Sequence, residues 1–520
     1  MVKEKLLLMR KAFIIIFLIS CFGVSAQVLK TVEFEINGRP TWQQLIPLGQ
    51  NGIILFAKKD VTKAVIVKFD ADLKKVWESE VFLDVEKKPA SYTVDQDHVT
   101  FMFSETKGMY YQVFSISLKD GKIENKGFEL REFFQDQDYV FFKNRILMAG
   151  VNEKGAAFYK YNFDADLGEF VIAELTGKAQ VQYFKHDASN NAIESLWSIK
   201  EVSYTNEKKK KGEFIKDAYV VYAQYDTTGK LITKNTIASS AGNFPLTATL
   251  TEIDADTKVI SGTYQSNSGA KGMYLSKIED GKTTSTKFYD YRQLLKGTPP
   301  IDDANLKKLI DNFVLLPVKP IFGHNTITIG GTFFQANFQS VSTSKPNFNG
   351  YDPYPSYGRY STSNNTYIRS QSKQVFRGYN FLIGFVASFD LDGNLVSQNR
   401  VEMNQISPQL QETMAVSADK STAVCIKGTV SVNNLSNFVK PATYKLSEET
   451  VDAKNNQFVP SYHGVQNWYG NYFIADGSRI KFEALKDLDA PKLKANKRNK
   501  GQRSLPQTNT KKIIFLSKIQ

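Results

Sequence analysis

Residues Phe114-Ser115-Ile116-Ser117-Leu118 run straight into Lys119-Asp120-Gly121, and this joint decides how the chain is read. Phe114, Ile116 and Leu118 are apolar while Ser115, Ser117 and Lys119 are polar, the two-residue period of a strand with one buried face. Asp-Gly then reverses the chain, because both residues tolerate the positive φ of tight hairpin turns. The joint returns with different lettering. Residues 64–69 precede Asp70-Ala71-Asp72-Leu73, residues 159–163 precede Asp164-Ala165-Asp166, and residues 219–225 precede Asp226-Thr227-Thr228-Gly229. Residues 273–278 lead into Glu279-Asp280-Gly281, and residues 385–389 into Asp390-Leu391-Asp392-Gly393. A single hairpin is marginal in water, so such units gain stability by stacking on one another.

A further short apolar strand precedes most of these hairpins, at residues 53–56, 99–103, 146–151, 259–264, 326–334 and 422–428. The turns recur about every fifty residues, the spacing of units that hold four strands each. Between Asp280 and Asp390 the interval doubles. We read two insertions there rather than a hidden unit: residues 291–320, within which 302–316 show a helical stripe, and residues 341–376, a loop. The stripe is Leu306, Leu309, Ile310, Phe313 and Leu316, opened by Asp302 and Asp303, and its apolar side is expected to pack on the body of the protein.

The two chain ends complete the pattern. Phe515-Leu516-Ser517-Lys518-Ile519-Gln520 echoes Tyr274-Leu275-Ser276-Lys277-Ile278-Glu279, yet stops where the earlier unit turns. Residues 31–36 alternate as a strand and have no hairpin partner nearby. They are expected to supply the strand that the last unit lacks, which leaves no sheet edge unpaired at the splice.

This arrangement resembles the β-propeller superfamily over almost the whole chain. The resemblance implies an all-β ring of about eight four-stranded blades, with seven as the alternative count, closed by the amino-terminal strand. It is architectural: no regular Trp-Asp ending, no spaced Gly-Gly pairs of the kelch type and no recurrent Asp-box are present. Propellers serve as enzymes, receptors and scaffolds, so the fold by itself does not assign a role.

Lys3, Lys5, Arg10 and Lys11 precede an apolar run at residues 12–19, and Val24-Ser25-Ala26 then precedes Gln27. That order reads as a secretion signal over residues 1–26, with the mature domain at 27–520. A second reading takes Leu18-Ile19-Ser20-Cys21 as a lipobox, with lipid on Cys21 and an outer-membrane anchor. The expected location is thus outside the cytoplasm, periplasmic or extracellular, with no membrane span in the mature chain. Cleavage would leave Cys425 as the one cysteine, set in an apolar strand where a thiol reads as a packing residue.

The net charge is +13. Much of the excess sits in residues 481–512, where ten Lys or Arg face only Glu483, Asp487 and Asp489. Residues 485–510, with Pro491 and Pro506, read as a basic insertion between strands of the last blade. For an exported protein its partner would be an anionic membrane surface or glycan rather than nucleic acid. Lys208 to Lys211 form a similar charged hairpin tip.

Motifs for chemistry are absent from the sequence. His98, His186, His324 and His463 lie far apart, without metal-ligand spacing. Asp390-Leu391-Asp392-Gly393-Asn394 lacks the later carboxylates of a calcium loop and reads as a turn. There is no phosphate loop and no nucleophile elbow, so the expectation is no metal and no cofactor. Aromatic and basic residues instead gather within the 341–376 insertion: Tyr351, Tyr354, Tyr357, Arg359, Tyr360 and Tyr367, among Asn, Ser, Pro and Gly. Tyr offers a flat apolar face with a hydroxyl, and Arg a fixed fork of donors, a composition suited to recognition from a rigid scaffold.

The expectation is therefore an exported binding or scaffold module of a Gram-negative envelope, recognising a protein or a glycan through surface loops. The alternative is an enzyme acting on polysaccharide or peptide, with carboxylates converging near the ring axis.

Overall fold

The computed structural model describes residues 28–37, 42–60, 62–83, 91–104, 109–142, 144–175, 179–204, 213–296, 300–343, 371–407, 410–419, 421–434, 442–446, 459–484 and 508–520. Among them the strands form eight antiparallel sheets. These are the blades of a β-propeller, at residues 43–82, 91–129, 135–172, 179–237, 243–290, 314–407, 414–445 and 459–519 in chain order. The opening strands of neighbouring blades pack side by side, from Ser91–Val94 round to Val459–Tyr469, which in turn meets the Gly49–Asn51 turn of the first blade. They wall the axis of the ring.

Each of the repeated joints in the sequence is the third strand of a blade and its turn to the fourth. Asp70 Oδ1 accepts from the backbone N–H groups of Asp72 and Lys74, both at 2.8 Å. Asp226 Oδ1 accepts from Thr228 N at 2.8 Å and Lys230 N at 2.9 Å, and Asp390 Oδ1 from Asn394 N at 2.7 Å. The carboxylate thus satisfies donors that the reversal would leave unpaired. Gly229 at φ +88° and Gly393 at φ +76° take the left-handed positions. The Asp390 segment is a hairpin turn, and His324 and Asn325, at φ 50° and 56°, are turn residues too.

The interval from Asp280 to Asp390 contains one blade, the sixth, and its insertions. Blade closure is also as read from the chain ends. Val28–Asn37 pairs with Thr508–Ile519, in the register Val32↔Leu516 and Phe34↔Ile514. Arg479 Nη2 holds both oxygens of Glu33, at 2.8 and 2.9 Å. Lys518 Nζ donates to Ala71 O at 2.9 Å and to Tyr469 Oη at 2.7 Å, tying the eighth blade to the first.

Aromatic rings fill the seams. Phe56 meets Phe101 at 4.5 Å between the first two blades, Phe128 stacks on Tyr161 at 4.6 Å in the next seam, and Phe158 meets Trp197 at 5.8 Å in the one after. Contacts of this kind contribute about 0.5–1.5 kcal/mol each beyond area burial. Between the fourth and fifth blades an apolar seam, with Leu196 and Tyr222 against Ile260 and Tyr264, also holds a buried ion pair. Glu194, wholly buried, pairs through Oε1 with Lys258 Nζ of the next blade, and the same oxygen accepts from Tyr222 Oη at 2.7 Å and Gln224 Nε2 at 3.3 Å.

Three element boundaries differ from the sequence reading. The helix spans Asp303–Asn312, with Asp302 capping it by accepting from Asn305 N at 2.9 Å. It does not reach residue 316: Leu316 lies in the strand Val314–Gly323, so the insertion expected at 291–320 ends before that strand. Pro317 explains this, because the residue before a proline is driven out of the helical region and proline itself lacks the N–H. The loop expected at 341–376 is shorter, because Thr326–Thr343 and Gln371–Asp390 stay paired out to Thr343↔Gln371. In the eighth blade pairing runs to Ala484↔Thr508, so residues 508–510 of the expected basic insertion are strand.

Candidate functional site

Blade topology sorts the connections onto two faces. Turns from first to second strand and from third to fourth strand share one face. Turns from second to third strand, and crossings to the next blade, share the other. The tight Asp and Gly turns occupy the first face. On the second face, strand pairs flank all the long stretches singled out in the sequence: Tyr204↔Glu213 around the Lys208 run, Thr343↔Gln371 around the Tyr-rich stretch and Ala484↔Thr508 around the basic stretch. The crossing at residues 291–313, with its helix, is also there. One face is therefore the side from which the strands flanking each of these stretches emerge, a consequence of strand parity.

The flanking strands are long. Those of the sixth blade have 18 and 20 residues, against 6 and 7 for the matching pair of the first blade. At roughly 3.3 Å per residue the excess makes an arm roughly 40 Å long. Along it runs a ridge of rings. Phe334 lies 5.7 Å from Tyr379, Tyr379 is 5.1 Å from Phe376, and Phe376 is 5.6 Å from Phe338. Phe338 and Phe376 are 54% and 43% exposed. Exposed rings in contact with each other, rather than scattered singly, mark a surface built for contact.

Tyr351, Tyr354, Tyr357, Arg359, Tyr360 and Tyr367 fall between the ends of this arm and lie outside the described residues, as do Cys21 and residues 485–507. The rings of the arm itself were missed by the sequence reading. A signal was available: the aromatic residues Phe334, Phe338, Phe376 and Tyr379 gather at the two ends of the insertion, although a register shift between Asn337 and Phe338 is needed to bring them together.

At the axis two carboxyl groups come together. Asp476 is paired opposite Gly464, and the next residue, Val465, donates its N–H to the Glu412 carbonyl at 3.0 Å. Burial pushes Asp476 up to about 6, opposed by Gln43 Nε2, which donates to its Oδ2 at 3.0 Å, and by Lys512. Glu412 keeps contact with water yet is enclosed by the channel walls, and this enclosure raises it above the usual carboxylate range. Lys319 of the sixth blade opposes that rise and Asp476 adds to it. Burial likewise raises Tyr92 of the second blade, helped by Glu412, and lowers Lys512. Side chains of five blades thus share one electrostatic site.

A carboxyl raised as Asp476 is can store and release a proton near physiological pH. Among the described residues no group of three or more His, Cys, Asp or Glu is placed to hold a metal ion. Cys425 is buried, and burial pushes its thiol up to about 12, which removes it as a nucleophile at neutral pH. Among the described residues no helix is long and apolar enough to cross a membrane.

No family model matches the chain, and no curated protein sequence does. Solved structures do. A functionally unknown protein of Desulfotomaculum acetoxidans aligns at 12% identity and TM-score 0.34, over 74% of this chain and 92% of that one. An uncharacterized protein of Listeria monocytogenes aligns at 8% identity and TM-score 0.36, over 81% and 99%. The WD40 domain of SCAP from fission yeast aligns at 10% identity and TM-score 0.31, over 74% and 80%.

Proposed function

We propose that this β-propeller is an exported binding module of a Gram-negative envelope, which recognises a protein or glycan with the face that carries its insertions. The observation that carries the reading is the exposed ring ridge of the sixth blade, ending where the Tyr-rich stretch begins. Rigid rings give large contact area at low entropic cost, and the ring of blades holds them in place. The leader-like residues 1–26 support export, with lipid attachment at Cys21 as the second form of it. The basic residues 485–507 would favour an anionic glycan or membrane surface nearby.

The test is crosslinking and affinity capture of the tagged protein from its own envelope. The comparison proteins lack residues 345–370 or carry Phe338→Ser with Phe376→Ser. Partners lost in both comparisons support the reading. Partners retained by both would remove the arm from the site.

A second reading rests on Glu412 and Asp476. Two carboxyls that act on each other's charge, Glu412 in contact with water and Asp476 largely buried, are what a glycan-cleaving enzyme would need, one as acid and one as base or nucleophile. Turnover of envelope polysaccharide that disappears in Glu412→Gln and Asp476→Asn, with capture unchanged, would establish it in place of the binding role.

A further inference from the structure

Apart from the arm and the axis, the seam between the fifth and sixth blades contains a cavity of about 500 Å³. Here both opening strands are interrupted, and the sequence shows why. The opening strand of the fifth blade is split into Asn243–Pro245 and Thr249–Glu252. In the sixth blade, pairing slips between Val318 and Ile321, in a strand with two prolines, Pro317 and Pro320, that cannot donate to the sheet.

The detour at residues 246–248 is held in place rather than loose. Leu246 N donates to Thr263 O at 2.8 Å, Thr263 N donates to Thr247 Oγ1 at 2.9 Å, and Tyr274 Oη donates to Thr247 O at 2.9 Å. It rides so close over Gly262 that a Cβ there would lie 1.8 Å from Thr247 O. On the other side Lys271 Nζ donates to Ile310 O at 2.9 Å and fixes the end of the Asp303–Asn312 helix over the cavity. The cavity is a product of specific bonds, not of slack packing.

Its walls define the occupant. They run from Gln182 of the fourth blade to Ile310 and Phe313 at the helix end, so the space is a slot along the seam. Most of the lining is apolar, with Met273, Ile329 and Phe333 in its depth. No carboxylate lines it, and Lys271 is the one charged lining residue. Ser261 also lines it, is 1% exposed, and its Oγ has no hydrogen-bond partner among the described residues. A buried hydroxyl without a partner is costly unless a ligand completes it. Apolar walls with a few convergent polar groups are the composition of small-molecule sites of this volume.

We propose that the slot binds a single-chain amphiphile with a neutral or anionic oxygen head group, its chain along the seam and its head at Ser261 and Lys271. The test titrates the full chain with N-phenyl-1-naphthylamine, a neutral apolar dye, and displaces it with 1-decanol, decanoate or decyltrimethylammonium. Expected is one saturable dye site per chain, displaced by decanol and decanoate and not by the cationic amphiphile. Ala248→Phe, which fills the slot, should abolish dye binding. Ser261→Ala should weaken decanol roughly three- to tenfold, the effect of one lost hydrogen bond. Should Ala248→Phe fail to fold, Lys271→Met decides: decanoate alone should weaken. Absence of saturable binding, binding retained by a folded Ala248→Phe protein, equal displacement by all three amphiphiles, or a Lys271→Met protein that treats decanol and decanoate alike would each overturn the proposal.

Discussion

Trp468 Nε1 donates to the carbonyl of Gly52 at 2.8 Å, across 416 residues of chain. The bond joins the last blade to the first at the one seam where the ring must be sealed by distant sequence. Trp468 also packs on Ile514 and Leu516, against which Val32 and Phe34 lie. Trp468→Phe keeps much of the ring volume and loses the donor. It should lower the unfolding free energy by about 1–2 kcal/mol, the range for one buried hydrogen bond together with a small loss of packing. Urea unfolding followed by far-UV circular dichroism measures this; a midpoint equal to that of the parent protein would show the seam does not depend on Trp468.

Asp476 links stability to pH. Its carboxyl is raised to about 6 in the folded protein, against about 4 in an unfolded chain. Between these values the folded state holds a proton that the unfolded state has released, so stability is greatest below about 4 and falls as pH rises through 6. Glu412, also raised, acts in the same direction. Asp476→Asn mimics the protonated acid and can still accept from Gln43. It should flatten the profile and stabilise the protein at pH 7.5 by about 1–2 kcal/mol, allowing for the water that reaches the channel. Melting curves from pH 4 to 8 read the slope; an unchanged slope in the variant assigns it to other groups.

Glu194 and Lys258 form a buried pair whose two halves belong to different blades. Glu194 Oε2 meets no donor among the described residues, so the lysine is the main counterweight to a buried charge. Lys258→Met should cost about 3–5 kcal/mol, because an unpaired carboxylate is left inside the protein. Glu194→Gln in the Lys258→Met background should recover a large part of that loss, since the amide carries no charge. Equilibrium unfolding of the two single variants and the double variant forms the cycle, and additive losses would mean that the two residues act independently.

The blades were readable because their turns are chemically conspicuous. An Asp side chain that bonds the next backbone amides, followed by Gly at positive φ, stands out at Asp226 and Asp390 whatever the flanking residues. The end-to-end splice was readable because residues 515–520 repeat residues 274–279 almost letter for letter. The Ala192–Tyr204 strand was not, since Glu194, Ser195 and Ser198 face the interior and break the apolar alternation that marks a strand. Their polarity makes sense only beside Lys258 and Tyr222, which a linear reading keeps apart. Asp476 escaped for a similar reason: Phe473-Ile474-Ala475-Asp476-Gly477 resembles a strand running into a turn. Here the acid instead sits within a paired strand and meets Gln43 of the first blade, a residue more than four hundred positions away in the chain. The slot between the fifth and sixth blades left a fainter mark, Pro245, Pro317 and Pro320 in segments that would otherwise read as plain strand.

The splice also sets a sequence of events in time. Residues 28–37 are made early, yet their partner, Thr508–Ile519, is the final strand of the chain. Throughout synthesis the first strand waits with its hydrogen-bonding edge open, and so do the blades that have already formed beside it. Ring formation is then a contact of very high sequence separation, the slowest kind to find and the most prone to intermolecular mispairing. That open edge at residues 28–37 is closed only when residue 519 has taken its place.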